Sequence, residues 1–552
     1  MTREAGKIHP AALRYAGELR AGTMDRREFL ARATALGLSA PAAWGLAGRA
    51  APAAAQGLPT ARQGGTIRCQ MSVRALKDTR TFDWSELGNL TRGTLEYLVE
   101  YDSDGTFRGM LLEGWEANED ASAYLLHVRP GVSWSNGEPF TAGDVARNIA
   151  RWCDASVAGN SMAGRMVSLI DPATGRLRDG AVEVVDELTV RLTLSSPDIT
   201  LVPGFSDYPA AIVPASYDPA DTAAAIGTGP YRIAEIEPGV RAVLERVPGH
   251  VWWGTGIYGG PYLDRIEYLD YGTDPAAWLA AMEAGEVDML YESVGDFIDA
   301  LDALGFPKSE VVSMATCVIR PNQLAEVDGM RPYADIRVRR AIQLATDNAI
   351  LLELGYGNRG ETAENHHVGR LHPEYAPMPP RPFDPAAALA LLEEAGMAAF
   401  EFELTSVDDD WLRNTTDAVG AMLRDAGFTV RRTILPEDVF AGGWRRWPFS
   451  ATNWNHRPLG VQVHALAYRS GAAWNEFGWS NPDFDALLAQ ALSIEDAATR
   501  RETMARMEAL IQEEGVTIQP YWRSLYRHYR TGLLGVDMHV SFEHHHYKWG
   551  LA

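Results

Sequence analysis

Strand-like and helix-like runs alternate irregularly from Gly64 to the C-terminus, with no repeat period and no low-complexity linker between them. Such a pattern asks for α/β or α+β layers with domains interleaved along the chain, and it argues against a repeat array. At 552 residues there is room for two to four cores. Residues 65–73 alternate as a strand, and residues 182–185 and 188–194 read as two more, joined by a turn at Asp186-Glu187. Helices are clearest late in the chain. Phe484, Leu487, Leu488, Ala491 and Leu492 share one face behind the start signal Asn481-Pro482, and another helix begins at Asp384-Pro385 and stops at Gly396.

Fifty Lys+Arg against 73 Asp+Glu give a net charge of −23, a field that repels nucleic acid and anionic lipid. No apolar run after residue 56 is long enough to cross a bilayer. The three cysteines, Cys69, Cys153 and Cys317, lie far apart with no CxxC, which speaks against a zinc site or a disulfide framework, although one pair remains free to bridge.

The segment Met24-Asp25-Arg26-Arg27-Glu28-Phe29-Leu30, the small and apolar stretch from Ala33 to Ala47, and Ala53-Ala54-Ala55 together resemble a twin-arginine export signal. Residues 1–56 are expected to lie apart from the fold and to be cleaved near Ala55-Gln56, with Met24 an alternative start. No cysteine follows the apolar stretch, so no lipid anchor is expected. These residues carry a surplus of four positive charges, and their removal leaves −27. An acidic, soluble, periplasmic protein is the expectation.

Four landmarks then appear in order. The first runs from Gly109-Met110-Leu111-Leu112-Glu113-Gly114-Trp115 through Val128-Arg129-Pro130-Gly131-Val132-Ser133-Trp134-Ser135-Asn136-Gly137 to Phe140-Thr141-Ala142-Gly143-Asp144-Val145. The second is Gly227-Thr228-Gly229-Pro230-Tyr231 with Trp252-Trp253 after it. The third is Arg331-Pro332-Tyr333-Ala334-Asp335-Ile336-Arg337, and the fourth Ser480-Asn481-Pro482-Asp483-Phe484-Asp485. Together they resemble the extracellular solute-binding proteins, family 5, of dipeptide, oligopeptide and nickel ABC importers. The resemblance covers essentially the whole chain after the leader.

Read from physics alone, these landmarks are architectural. Pro130-Gly131 and Asn136-Gly137 are turn formers with Trp134 and Phe140 packed beneath them, ahead of a helix starting near Thr141 or Asp144. The glycine-rich 227–229 loop lacks the Lys-Ser/Thr of a phosphate loop and leads into a strand, so it is not a nucleotide site. Asp335 is placed to cap a helix carrying Val338 and Ile342, and Arg337, Arg339 and Arg340 are expected to form a solvated or ion-paired face.

The resemblance implies an α/β, type II, two-lobed periplasmic-binding fold of the large peptide-binding class, with an extra subdomain. The implied division is lobe one at 57–90 and 191–315, the subdomain at 91–190, lobe two at 316–515, and a C-terminal return to lobe one at 516–552. It further implies capture of a peptide-like solute between closing lobes and delivery to a membrane permease, without cofactor or catalysis, by a monomer. The second reading is a non-peptide anionic or glycosidic solute of the opine kind, or a metal chelate such as nickel.

In peptide-binding relatives the stretch after the Trp454 strand carries an Asp for the ligand ammonium, whereas here Arg457 stands at or beside that place and no acid lies between Trp447 and Glu476. A guanidinium facing the cleft would favour a carboxylate or phosphate, leaving Asp83, Glu292 or Glu476 to take an ammonium. Five tryptophans fall between positions 444 and 479, of which Trp454 and Trp474 are expected as cleft walls and the rest as packing. Trp84, Tyr291, Glu292 and Asn322 complete the expected site. The histidine runs 366–367 and 544–546 lack the His-Glu-x-x-His spacing, and the latter is expected in a strand or at the surface. No Gly-x-Ser-x-Gly is present, so an enzyme is not expected.

Overall fold

In the computed structural model, residues 8–49, 58, 60–379, 381–494 and 496–552 are described. Three sheets organise the chain. The first has five strands in the order Tyr231–Glu237, Arg241–Arg246, Arg265–Leu269, Thr66–Gln70, Met289–Leu290, with its last three members parallel. The second has six, in the order Gly360–Thr362, Tyr521–His528, Lys308–Pro321, Phe449–Trp454, Glu401–Val407, Thr429–Leu435. A four-stranded antiparallel sheet, Leu112–Ala117, Ala123–Val128, Thr189–Thr193 and Val182–Asp186, forms the subdomain. This is a two-lobed α/β arrangement with an added sheet.

Two expected boundaries move. A division at 315/316 would cut Lys308–Pro321, which is one strand running deep into the second sheet. The segment Tyr521–His528 pairs antiparallel with it, so the return to lobe one starts only after residue 528, where Val536 and Trp549 join the core of the first sheet. Pairing decides this, because a strand's lobe is set by its neighbours and no local sequence signal reports them.

Local signals behave as written. Thr141 and Asp144 form a reciprocal capping box on Ala142–Trp152, while Asp335, Asp384 and Asn481 accept backbone N–H bonds at the starts of their helices. Trp134 and Phe140 are buried edge to face, 5.7 Å between centroids. The 227–229 glycines are required by close approach: a Cβ on Gly227 would lie 1.7 Å from the Thr94 carbonyl oxygen, and one on Gly229 would lie 2.4 Å from that of Gly93.

Three expectations are corrected. Arg339 is ion-paired as expected, with Glu514 at 3.9 Å, but it is buried below the face and also donates to the carbonyls of Tyr333, Ala334 and Glu514. His544 and His546 are fully buried and share the Tyr268 hydroxyl at 2.9 and 2.5 Å, so the 544–546 run is core. Residues 8–49 do not lie apart from the fold. They form the helices Pro10–Ala21, Arg26–Ala35 and Ala40–Leu46, which pack on the body. The expected cleavage point at 55–56 lies outside the described residues.

Candidate binding cleft

In parallel sheets, ligand sites form at the carboxyl ends of strands, where turns leave side chains and backbone groups facing a common crevice. Both large sheets point such ends at one another. Ser72 and Arg74 follow the Thr66–Gln70 strand, and Tyr291 and Glu292 follow Met289–Leu290. From the other lobe, Asp409 and Asp410 follow Glu401–Val407, and Asn455 follows its neighbour Phe449–Trp454. These groups line one hollow of about 130 Å³, and a smaller one of about 30 Å³ adjoins it through Trp84, Asn453 and Asn455.

The two lobes are shut upon each other. Asn455 donates to the Ser85 hydroxyl at 2.9 Å, Ser72 donates to Glu437 at 3.2 Å, and the Trp444 indole N–H donates to Asp83 at 3.3 Å. Arg74 pairs with Glu437 across the cleft and lies over the Trp84 ring, 4.7 Å from its centroid. Apart from the Arg74–Trp84 stacking, which lies within lobe one, each of these contacts joins groups from different lobes and would break on opening.

Charge in the larger hollow is unbalanced. Glu86, Glu292, Asp409, Asp410 and Glu437 face two guanidiniums, Arg74 and Arg523. Arg74 is taken by Glu437 and, at 3.9 Å, Glu86, while Arg523 pairs with Glu292 and lies on the Trp411 ring at 3.8 Å. Among the described residues Asp409 has no ion-pair partner, although Arg523 acts on it from a distance. Its carboxylate accepts the backbone N–H groups of Leu412 and Arg413 at 2.9 and 3.1 Å, and burial pushes its pKa up to about 7. Burial also raises Asp410. The wall is therefore short of positive charge.

Of the expected site residues, Trp84, Tyr291 and Glu292 line the larger hollow, and Asp83, Trp84, Trp454, Arg457 and Trp474 line the smaller one. Asp83 is already engaged by Lys77 at 2.6 Å, and Tyr291 bonds Ser85 at 2.8 Å while stacking on Phe542. Trp474 stands edge to face against Trp454 at 5.8 Å and stacks on Tyr208. Trp444, expected only as packing, also lines the smaller hollow. Asn322 borders neither: its side chain accepts the Leu324 N–H at 3.0 Å and donates to the Arg445 carbonyl, bracing a turn.

Arg457 reaches the smaller hollow with its charge spent. Its guanidinium pairs with Asp207 at 3.2 Å and donates to the Asn455 and His456 carbonyls, and Asp207 also pairs with Arg165. Burial opposes the charge of Arg457, but Asp207 overrides it and holds its pKa above the usual value. The expected inversion of ligand charge at this position loses its basis. Glu476 is likewise closed to a ligand ammonium, because Arg320, Thr452 and the Trp454 indole saturate it at 2.8, 2.7 and 2.6 Å.

Asp409, Asp410, Glu437 and Arg523 escaped the sequence reading. The first two had a usable signal, since Asp408-Asp409-Asp410-Trp411 follows a strand-like run directly. Glu437 and Arg523 had none. Among the described residues, one histidine-containing group, His539, Glu543 and His545, has ligand-type atoms within 4.8 Å of one another. None of the three lines either hollow, and the rings are engaged. His539 contacts the Tyr101 carbonyl at 3.1 Å and accepts the Ser541 N–H, and His545 pairs with Glu543 at 3.0 Å.

Residues 106–475 match the family described as bacterial extracellular solute-binding proteins, family 5, middle region. The chain is 24% identical over 451 residues to the probable peptide ABC transporter periplasmic-binding protein y4tO of Sinorhizobium fredii, covering 75% of this chain and 80% of that protein. It is similar in fold to the oligopeptide-binding protein AppA of Bacillus subtilis in complex with a nonapeptide, with a TM-score of 0.77 at 18% identity over 89% of this chain and all of that one. It is also similar to AgaA of A. tumefaciens R10 in complex with agropinic acid, at a TM-score of 0.75 and 20% identity over 88% and 99% of the two chains.

Proposed function

Since the chain belongs to the bacterial extracellular solute-binding proteins of family 5, we propose that it is the periplasmic capture component of an ABC importer and that its solute is a short peptide. The observation that carries this reading is the hollow between the carboxyl ends of two sheets, walled by Trp84, Trp411 and Tyr291 and carrying more carboxylate than guanidinium. Aromatic faces grip side chains of varied shape, and an under-neutralised acidic wall suits a peptide's ammonium group. A hollow of about 130 Å³ favours a small guest over a long one.

The working cycle follows from the geometry. Residues 308–528 move as the second jaw, with the crossings at 290–308 and 528–536 as hinges. A guest touching both jaws adds contacts that exist only when they are shut, so binding moves the population toward the closed form that a permease engages. The protein acts as a monomer, and no covalent step enters this cycle.

Agropinic acid bound in AgaA makes an opine-like anion the second reading, with Arg523 as its cationic anchor. Mass spectrometry of the solute released from the purified protein decides between them. Thermal unfolding with Ala-Ala, Ala-Ala-Ala and agropinic acid gives an independent answer, because a cleft ligand at 100 times its Kd adds about 2.7 kcal/mol. Stabilisation by the peptides is expected. Stabilisation by agropinic acid alone would transfer the assignment to the anion, and a nickel complex among released solutes would transfer it to a chelate.

A further inference from the structure

The N-terminal helices are built into the molecule at a telling place. All eight positions from Glu28 to Ala35 on the Arg26–Ala35 helix are buried, whereas a helix resting on a surface keeps one wet face. Lobe two holds two of its side chains: Glu28 pairs with Arg500 at 2.6 Å and with Arg501 at 3.2 Å, and Arg32 pairs with Glu374. Glu374 also accepts the Gly460 N–H at 2.8 Å. Its last two residues are held by the subdomain: the Thr34 hydroxyl accepts the Phe107 N–H at 3.0 Å, and the Trp115 indole donates to the Ala35 carbonyl at 2.9 Å.

The flanking helices repeat this division. His9 meets the Asn118 carbonyl at 2.7 Å and Trp44 donates to Asp104 at 3.2 Å, both in the subdomain. Glu18 accepts the Ala497 N–H of lobe two at 3.3 Å, and Tyr15 lies under the Arg500 guanidinium at 5.1 Å. Gly37 makes the seat close-fitting, because a Cβ there would come within 2.2 Å of the Trp115 carbonyl oxygen, at a backbone φ of +95°.

We propose that residues 8–49, while attached, are an interlobe clasp: they occupy a groove shared by the subdomain and lobe two and hold the jaws at their closed separation. This rests on the reading that the jaws move, but not on the identity of the solute. The ion pairs Glu28–Arg500 and Arg32–Glu374 are anchored in one jaw and the Thr34 and Trp115 bonds in the other, so opening must break one set. Release of the segment removes both. An exported chain that still carries its leader would on this view be slow to exchange solute, and one that has lost it would exchange freely.

The test uses the full chain without ligand, so that its failure is separable from failure of the peptide assignment. A specific protease site is inserted between Arg49 and Leu58, and spin labels are placed through Val184→Cys in the subdomain and Leu354→Cys in lobe two, both exposed. The three native cysteines are buried and do not compete. After cutting, the segment is expected to co-elute with the body at micromolar concentration. Arg32→Ala and Gly37→Ala, which lie in the segment and leave the body unchanged, are each expected to weaken that retention at least tenfold. The distance between labels is expected to be single and narrow with the groove filled, and longer or broader once it is emptied. Immediate loss of the segment on cutting, equal retention of both variants, or one distance distribution for filled and emptied grooves would each overturn the clasp.

Discussion

Asp207 neutralises two buried guanidiniums, Arg165 and Arg457, the second of which lines the smaller hollow. Asp207→Asn leaves both charges buried and unpaired, so a loss of about 3–5 kcal/mol in chemical denaturation is expected, while Arg457→Ala, which leaves the Arg165 pair intact, should lose less. The reverse order would show that Arg457 is not held as described. Asp409 makes a different prediction. Burial raises its folded pKa to about 7 from a usual 3.8, so the folded state holds the proton more tightly than the unfolded chain does. Its contribution to stability is full below about pH 4 and disappears as pH rises through about 7. Urea unfolding should therefore show the native protein losing stability relative to Asp409→Asn across that window, and parallel profiles would exclude the assignment. An ammonium docked beside Asp409 favours the ionised carboxylate, so an amine-bearing peptide should bind more tightly at about pH 8 than at about pH 5.5, with proton release detectable by calorimetry in two buffers.

At the scale of elements, the glycine-rich 227–229 loop was legible as structure and not as a phosphate site, and the reason is now concrete. The backbone at Gly227 and Gly229 passes so close to the Gly93 and Thr94 carbonyls that no Cβ fits. Gly227→Ala forces backbone to move and is expected to lower stability by about 2 kcal/mol or more, measured as a shift of the denaturation midpoint at unchanged slope. Helix starts were legible for the same kind of reason. Asn481, Asp384 and Asp335 act on N–H groups two or three residues away, so the sequence window contains the whole interaction. The lobe of a strand is not contained in any window. Lys308–Pro321 and Tyr521–His528 are partners across about two hundred residues, and their pairing moved both expected boundaries.

For the whole molecule, the three cysteines are free and buried, with their thiols pushed up to about 12 chiefly by loss of solvation. None should react with a thiol reagent until the protein is unfolded, and then all three should, as mass spectrometry before and after denaturant will report. The sequence by itself determined the family, the mixed α/β layers and the caps and turns, because each rests on residue order or on groups a few positions apart. Trp84, Trp454 and Trp474, read from it as cleft walls, border the two hollows. Only the tertiary structure decided which charges are free to meet a guest. Arg457 and Glu476 looked available as letters, yet Asp207 and Arg320 had already claimed them, while Asp409 gained its place because, among the described residues, the fold gives it no ion-pair partner. A charged side chain's availability depends on what neutralises it in space, and Coulomb partners separated by hundreds of residues are set by packing.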